Sequence, residues 1–389
     1  MMLLPGIRSA WVALVALESV ASVLAHRAAA QWSGVVKTET AAFLGEEVPG
    51  APDGLIGITG RLRTVWQWDE RTQTAAVDLF VRVDLLGDGR SRVDFRELSY
   101  GKAGSDWELA VGFREVFWGV AESRHVIDQL NQRDPVTSFQ GYEKLGQPMI
   151  VGTGFLSWGT IELFFLPLFR TRPFDGRAGR LWSPFPVGED EAVIQAGSVL
   201  QPNAAVRWSH TLGSWDIGAG IFYGSRRDPR FELSLGNRWV PIYNTVPQAS
   251  ADGQWTTGRW LLKAEGLVQP SGPDRFVGAA GGIEFQPADF ASVMLEYSYD
   301  SRGPAATTTY EHDVYLGGRL MTQEAVVQVG AFIDTSSGAV VVGADLTRRF
   351  GELLVVTVEG RAFWGRVEDQ PAVALRQDSF LSIKLAYHF

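Results

Sequence analysis

The sequence contains no cysteine in 389 residues. Disulfide staples and thiolate chemistry are excluded, and the absence suits an exported chain that avoids pairing in transit. Long apolar runs are missing too. Beyond the first thirty residues no stretch of about 18 uncharged apolar side chains occurs, so helices are not what would carry this chain through a bilayer. Basic charge is in deficit, with 35 Lys and Arg against 44 Asp and Glu and a formal net charge of −9. That balance argues against a nucleic-acid partner, which would need a basic face. Only 5 histidines occur, and no H-E-x-x-H, EF-hand, Walker or dinucleotide fingerprint stands in a suitable context, so no metal or cofactor is expected. Fixed-period repeats, heptads and low-complexity tracts are also absent.

What is present begins with a distinct leader. Arg8 precedes an apolar stretch from Ala10 to Ala25, interrupted at Glu18, and Ala28, Ala29 and Ala30 supply small residues before Gln31. This is the pattern of a cleaved signal peptide over 1–30, with an uncleaved N-terminal helix as the alternative. No composition break divides the remainder, so 31–389 is expected to form a single domain.

Within that domain the signal is period two. In the last stretch Leu381, Ile383, Leu385, Tyr387 and Phe389 fall on one face of a strand and Ser382, Lys384, Ala386 and His388 on the other, because strand side chains alternate. Val77, Leu79, Val81, Val83 and Leu85 alternate in the same way with Asp78, Phe80, Arg82 and Asp84. A charged face opposite an aliphatic one suits a wall between water and lipid. The fold class is therefore all-β, a transmembrane antiparallel β-barrel of about eighteen strands, with sixteen as the alternative if the segments around Trp239 or Met149 are loop. Between Arg92 and Tyr100 the apolar parity slips, which predicts a bulge. With Phe389 on the periplasmic side, tight turns are expected at Arg349–Glu352, Met321–Glu324, Gln286–Asp289, Ser250–Gln254 and Thr211–Ser214, opposite longer outer loops.

The third outer loop, Gly119–Gly146, carries Val126, Ile127 and Leu130 at helical spacing, which predicts a helix over Glu122–Leu130 ending before Pro135. In a barrel this wide such a loop would fold inward and narrow the pore, or else form an outer lid. Trp118-Gly119 followed by Asp128, Asn131 and Asp134, with Leu166–Phe174 downstream, resembles the W-G…D-x-x-N-P-x-D pattern of proteobacterial porin-like outer-membrane barrels of uncharacterised function. Gln132 stands where that family has proline. The resemblance implies an outer-membrane channel, or an export or lipid-transport component.

The candidate constriction residues are Trp118, Glu122, Arg124, His125, Asp128, Asn131 and Asp134. Arg124, Glu122 and Asp128 would set the local field, and Trp118 with Asn131 would anchor the loop. Inward parity also holds charges of both signs, among them Arg61, Arg63, Arg82, Arg114, Arg259, Arg361, Glu162, Glu265, Glu296 and Glu359, which implies a wet lumen. In the next long loop Arg170, Arg172, Arg177 and Arg180 would meet anions or lipopolysaccharide phosphate, or pair with Glu189, Asp190 and Glu191. No catalytic set emerges: His125, with Glu122 and Asp128 at i−3 and i+3, is the nearest approach to one. The expectation is a passive, non-enzymatic channel for small hydrophilic solutes in the bacterial outer membrane. The alternative is an export or lipid-transport component, or a rim hydrolase. Expected partners are outer-membrane lipid, the barrel assembly machinery through Phe389, and further copies of the chain.

Overall fold

The barrel follows from alternation that the structure, a computed structural model, lays out strand by strand. It describes residues 29–45, 52–86, 90–138, 143–174, 187–188, 191–195, 197–236, 238–271, 275–303, 306, 311–365 and 378–389. In chain order the strands are β1 (Ala29–Phe43), β2 (Gly54–Trp68), β3 (Gln73–Asp84), β4 (Arg92–Ala103), β5 (Trp107–Arg114), β6 (Gln147–Leu156), β7 (Gly159–Leu166), β8 (Val193–Ile194), β9 (Asn203–Leu212), β10 (Trp215–Ser225), β11 (Arg230–Leu233), β12 (Trp239–Tyr243), β13 (Thr245–Thr257), β14 (Trp260–Gln269), β15 (Phe276–Ala288), β16 (Ala291–Asp300), β17 (His312–Met321), β18 (Ala325–Asp334), β19 (Val340–Phe350), β20 (Leu354–Trp364) and β21 (Phe380–His388). Eighteen of them form one antiparallel sheet. β8, β11 and β12 instead make a small separate sheet from two long connections.

The sheet closes where β21 pairs with β1, from Val35 opposite His388 to Phe43 opposite Phe380. Gly34 and Phe389 complete the seam by exchanging backbone hydrogen bonds of 2.8 and 3.0 Å. Closure leaves no unpaired edge, which is the condition for strands to live in lipid. Around the outside the side chains are apolar: Leu381, Ile383, Leu385 and Tyr387 are 46–51% exposed, while Ser382 on the inner face is 1% exposed. Trp107, Trp158, Trp215, Trp260, Phe290 and Phe350 stand exposed at the end that carries the tight turns, forming an aromatic girdle. An outer surface of this kind fits a bilayer.

The expected bulge lies on β4. Asp78 pairs with Glu97 and Leu79 with Phe95, so Arg96 is the extra residue and turns inward, 0% exposed. The segment around Met149 is a barrel strand, β6. Trp239 belongs to the small sheet instead, and the outer connection runs on to Asn244. The turn expected at Ser250–Gln254 is absent, because those residues lie inside β13 and the chain reverses at Gly258, whose φ is 57°. The small polar run misleads as a turn signal. In the barrel Asp252 ion-pairs with Arg207 at 2.8 Å and Gln254 donates to Asp216 at 2.9 Å, both from the inner face. Arg259, expected on the lumen wall, accordingly sits in the turn and donates to the Gln286 and Pro287 carbonyls.

Deleting Phe389 removes both seam hydrogen bonds, at about 1 kcal/mol each. Urea unfolding in lipid vesicles is expected to show a loss of about 2 kcal/mol, with an intact but more easily opened barrel.

Candidate functional site

After Arg114 the chain leaves the wall and enters the barrel. Residues 122–130 form bends and turns, with no helix. The reason lies in where the backbone donors go. Val120 and Ala121 donate to Glu265 Oε2 at 2.8 and 3.2 Å, and Val126 and Ile127 donate to its Oε1. Glu122 and Ser123 donate to the two Glu296 oxygens at 3.0 and 2.7 Å. Amides committed to wall carboxylates are not free to close helical turns. Val126, Ile127 and Leu130 do share a direction, but it is set by the wall. Ile127 and Leu130, buried with Trp118, pack on Met149, Val151, Phe164, Phe222, Leu267 and Phe276, with Val126 against them.

Gly119 explains the W-G dipeptide. Its φ is 131°, and a Cβ there would lie 2.6 Å from Glu265 Oε2. Trp118 packs edge-to-face on Phe164, at 5.6 Å between centroids, and lies under the Arg207 guanidinium. Asn131 ties the two legs of the loop: it accepts from Val116 N–H at 2.9 Å and donates to the Arg114 and Leu145 carbonyls.

The charges extend this fastening in both directions. Glu122 is met by Lys263 at 2.9 Å and Arg319 at 3.6 Å, and Arg124 by Asp300 at 3.2 Å. Asp128 pairs with Lys144, its partner on the return leg. Asp134 takes Arg92 at 3.1 Å and the bulge residue Arg96 at 2.6 Å. Barrel order makes β4 the fourth strand and β16 the thirteenth, nine apart in eighteen. The loop therefore spans the lumen between opposite walls.

Electrostatics follow the packing. Burial would raise the Asp134 carboxyl, but Arg92 and Arg96 outweigh it and hold it low. Burial likewise works against the Glu122 carboxylate, and Lys263 reverses the effect. Burial and then Arg133 push the His125 imidazole down, and its ring stands edge-on to Phe117. Glu122 and Asp128 are committed to lysines, so the structure does not assemble the triple around His125 that a helix would have made.

On the wall, Arg61 pairs with Asp78 at 2.8 Å, Arg63 with Glu97 at 3.4 Å and Arg82 with Glu39 at 3.0 Å. Arg361 lies between Asp345 and Glu359, at 2.9 and 3.1 Å. Glu162 stands opposite Arg207 in the β7–β9 register. Arg114 lines a cavity of about 310 Å3 with Arg61, Asp78, Glu97 and Glu115. In the second long loop Arg170 pairs with Asp94 and Arg172 with Asp228, both bracing the inward loop through the Gly146 carbonyl and Gln132. Glu191 pairs with Arg238. Arg177, Arg180, Glu189 and Asp190 lie outside the described residues.

Strand parity puts Glu265 and Glu296 on the inner face and says nothing of the loop they hold. The apolar inward set is absent from the candidates named from the sequence. The available signal was Phe164, Phe222 and Leu267, large apolar side chains at lumen parity, where a wet wall has no use for them.

Glu265→Leu strips four loop amides of their acceptor. Leaving buried donors unpaired costs about 1–3 kcal/mol apiece, so trypsin is expected to cut at Arg124 or Arg133 in the variant and to spare the wild-type loop.

No family model matches the chain, and no curated protein matches it. Solved structures do. A five-site mutant of Rh. blastica porin superposes with a TM-score of 0.51 at 13% identity, covering 93% of this chain and 100% of that one. A triple mutant of Rhodopseudomonas blastica porin gives a TM-score of 0.50, again at 13% identity and with the same coverage of each chain. At that identity the likeness is one of fold, and the fold is a porin-like β-barrel.

Proposed function

We propose that the protein is an outer-membrane channel through which small hydrophilic solutes diffuse, narrowed by the Gly119–Gly146 loop. One observation carries the reading: a single loop fastened to opposite walls of a barrel wide enough to hold water. The loop packs on the apolar inner patch of β6–β15. The charged wall of β2–β5, with its polar cavity, is left beside the path. Charge of both signs on that wall is costly in a dry interior and cheap in a wet one. Trp118 and Asn131 then act as loop anchors. Glu122, Arg124, Asp128 and Asp134 act as much through fastening as through the field they set, since each has an opposite charge beside it.

The partners in this reading are outer-membrane lipid and lipopolysaccharide, the barrel assembly machinery acting on the strand that ends in Phe389, and a second copy of the chain. Outward Ala251, Gly253, Ala264, Gly266, Ala279 and Gly281 stand opposite one another across β13–β15. They make a smooth wall suited to self-contact. No catalytic step is assigned.

Planar-bilayer recordings test the proposal. The purified protein is expected to give discrete openings in KCl. Replacing 119–144 by a short glycine-serine link is expected to raise the unit conductance about twofold or more, because the lumen of so wide a barrel is aqueous once its loop is gone. A membrane that stays closed with both proteins, or lipid hydrolysis by the wild type, would contradict it and favour the export, lipid-transport or hydrolase readings.

A further inference from the structure

The cavity on the β2–β5 wall holds four guanidiniums and three carboxylates, and most of them are already engaged. Arg96 spends its terminal nitrogens on Asp134 at 2.6 Å and on the Lys144 carbonyl at 2.5 Å. Arg63 reaches Glu97 at 3.4 Å. Arg61 meets Asp78 through Nε, at 2.8 and 2.9 Å to its two oxygens, and among the described residues its terminal nitrogens make no hydrogen bond. Among the described residues the Arg114 guanidinium and the Glu115 carboxylate make no ion pair. Once internal pairing is counted, the cavity offers one free cationic fork, half of another, and one free carboxylate.

This arrangement selects by elimination. A simple anion would meet Glu115, Asp78 and Glu97 as well as the arginines, and a simple cation would meet four guanidiniums. A neutral sugar would find no aromatic plate in the lining. A solute with both charges can satisfy both free groups at once. We propose that the cavity binds a small zwitterion bearing a carboxylate and an ammonium, of which an α-amino acid is the simplest. The carboxylate sits on Arg114 and the terminal nitrogens of Arg61, and the ammonium on Glu115. Guanidinium holds a carboxylate through paired N–H groups, which fixes the solute's direction. The proposal deepens the channel reading and rests on it, naming the class of solute that pauses on the way through.

Glu115 also gives the site a pH dependence. Glu115 is open to the lumen, but desolvation by the surrounding wall and loop still pushes its carboxyl up to about 7, with Arg61 on β2 and Arg96 on β4 opposing and Glu143 on the loop and Asp78 on β3 reinforcing. The arginines keep their charge, so acidification removes the ammonium's partner and leaves the carboxylate's.

The test is calorimetric titration of the full chain, folded in detergent micelles, with L-alanine, propionate and ethylammonium. At about pH 8 alanine is expected to bind saturably and at least tenfold tighter than either half-molecule, a difference of about 1.4 kcal/mol. Glu115→Gln is expected to reduce alanine to the affinity of propionate. Arg114→Gln is expected to abolish the preference for alanine over ethylammonium. Acidification to about pH 5.5 should weaken alanine and leave propionate bound at least as well. The proposal is overturned if alanine binds no better than propionate, or if both variants bind it as the wild type does. Because the Arg114 and Glu115 side chains hold no ion pair among the described residues, and the backbone carbonyl that Asn131 uses is kept in both variants, heat-modifiable migration on gels should confirm that both variants fold. Failure of the channel reading would appear as absent KCl conductance, whereas a conducting barrel that ignores alanine would sink this site alone.

Discussion

Two carboxylates inside the barrel, Glu265 and Glu296, decide the shape of the lumen. A loop that enters a barrel must find partners for its backbone amides away from bulk water, and these two side chains take six of them. Everything else about the inward loop follows from that exchange. The segment forgoes helix, Gly119 is required because a side chain there would strike the Glu265 carboxylate, and Trp118, Ile127 and Leu130 are brought down onto an apolar part of the wall.

The lumen is consequently two-sided. On the side of β6 to β15 the wall carries an apolar patch, and the loop packs on it. Between β2 and β5 it is charged and notched by the cavity. A second tier of ion pairs, from Arg92 and Arg96 to Asp134, ties the return leg to the strand where the bulge turns Arg96 inward. A defect in the β ladder thus supplies a structural cation.

Much of this was legible in the sequence because strand alternation is local. Parity places Leu381 outside and Ser382 inside and the bulge within Arg92–Tyr100, and the alternation of short and long connections adds a count of about eighteen strands, with sixteen as the alternative. The turn expected at Ser250–Gln254 fails because small polar residues serve equally as a reversal or as a wall facing water. Only the partner Arg207, some 45 positions away, decides between them. The helix expected over Glu122–Leu130 fails for a related reason. Its apolar spacing is real, but the competing acceptors lie about 140 positions further on, and no periodicity within the loop reports them. Asn131 and Asp134 were singled out for their type and spacing, and the structure gives each a dense set of contacts. The free pair at Arg114 and Glu115 could be seen only after every neighbouring charge had been assigned a partner.

Amide hydrogen exchange on the detergent-solubilised protein addresses the central claim most directly. If the wall carboxylates hold the loop, the amides of Val120, Ala121, Glu122, Ser123, Val126 and Ile127 should exchange slowly in the wild type, although they lie in no helix or strand. They should become fast when Glu265 and Glu296 are both replaced by leucine. Exchange of those six amides at the rate of an unstructured peptide in the wild-type barrel would contradict the account.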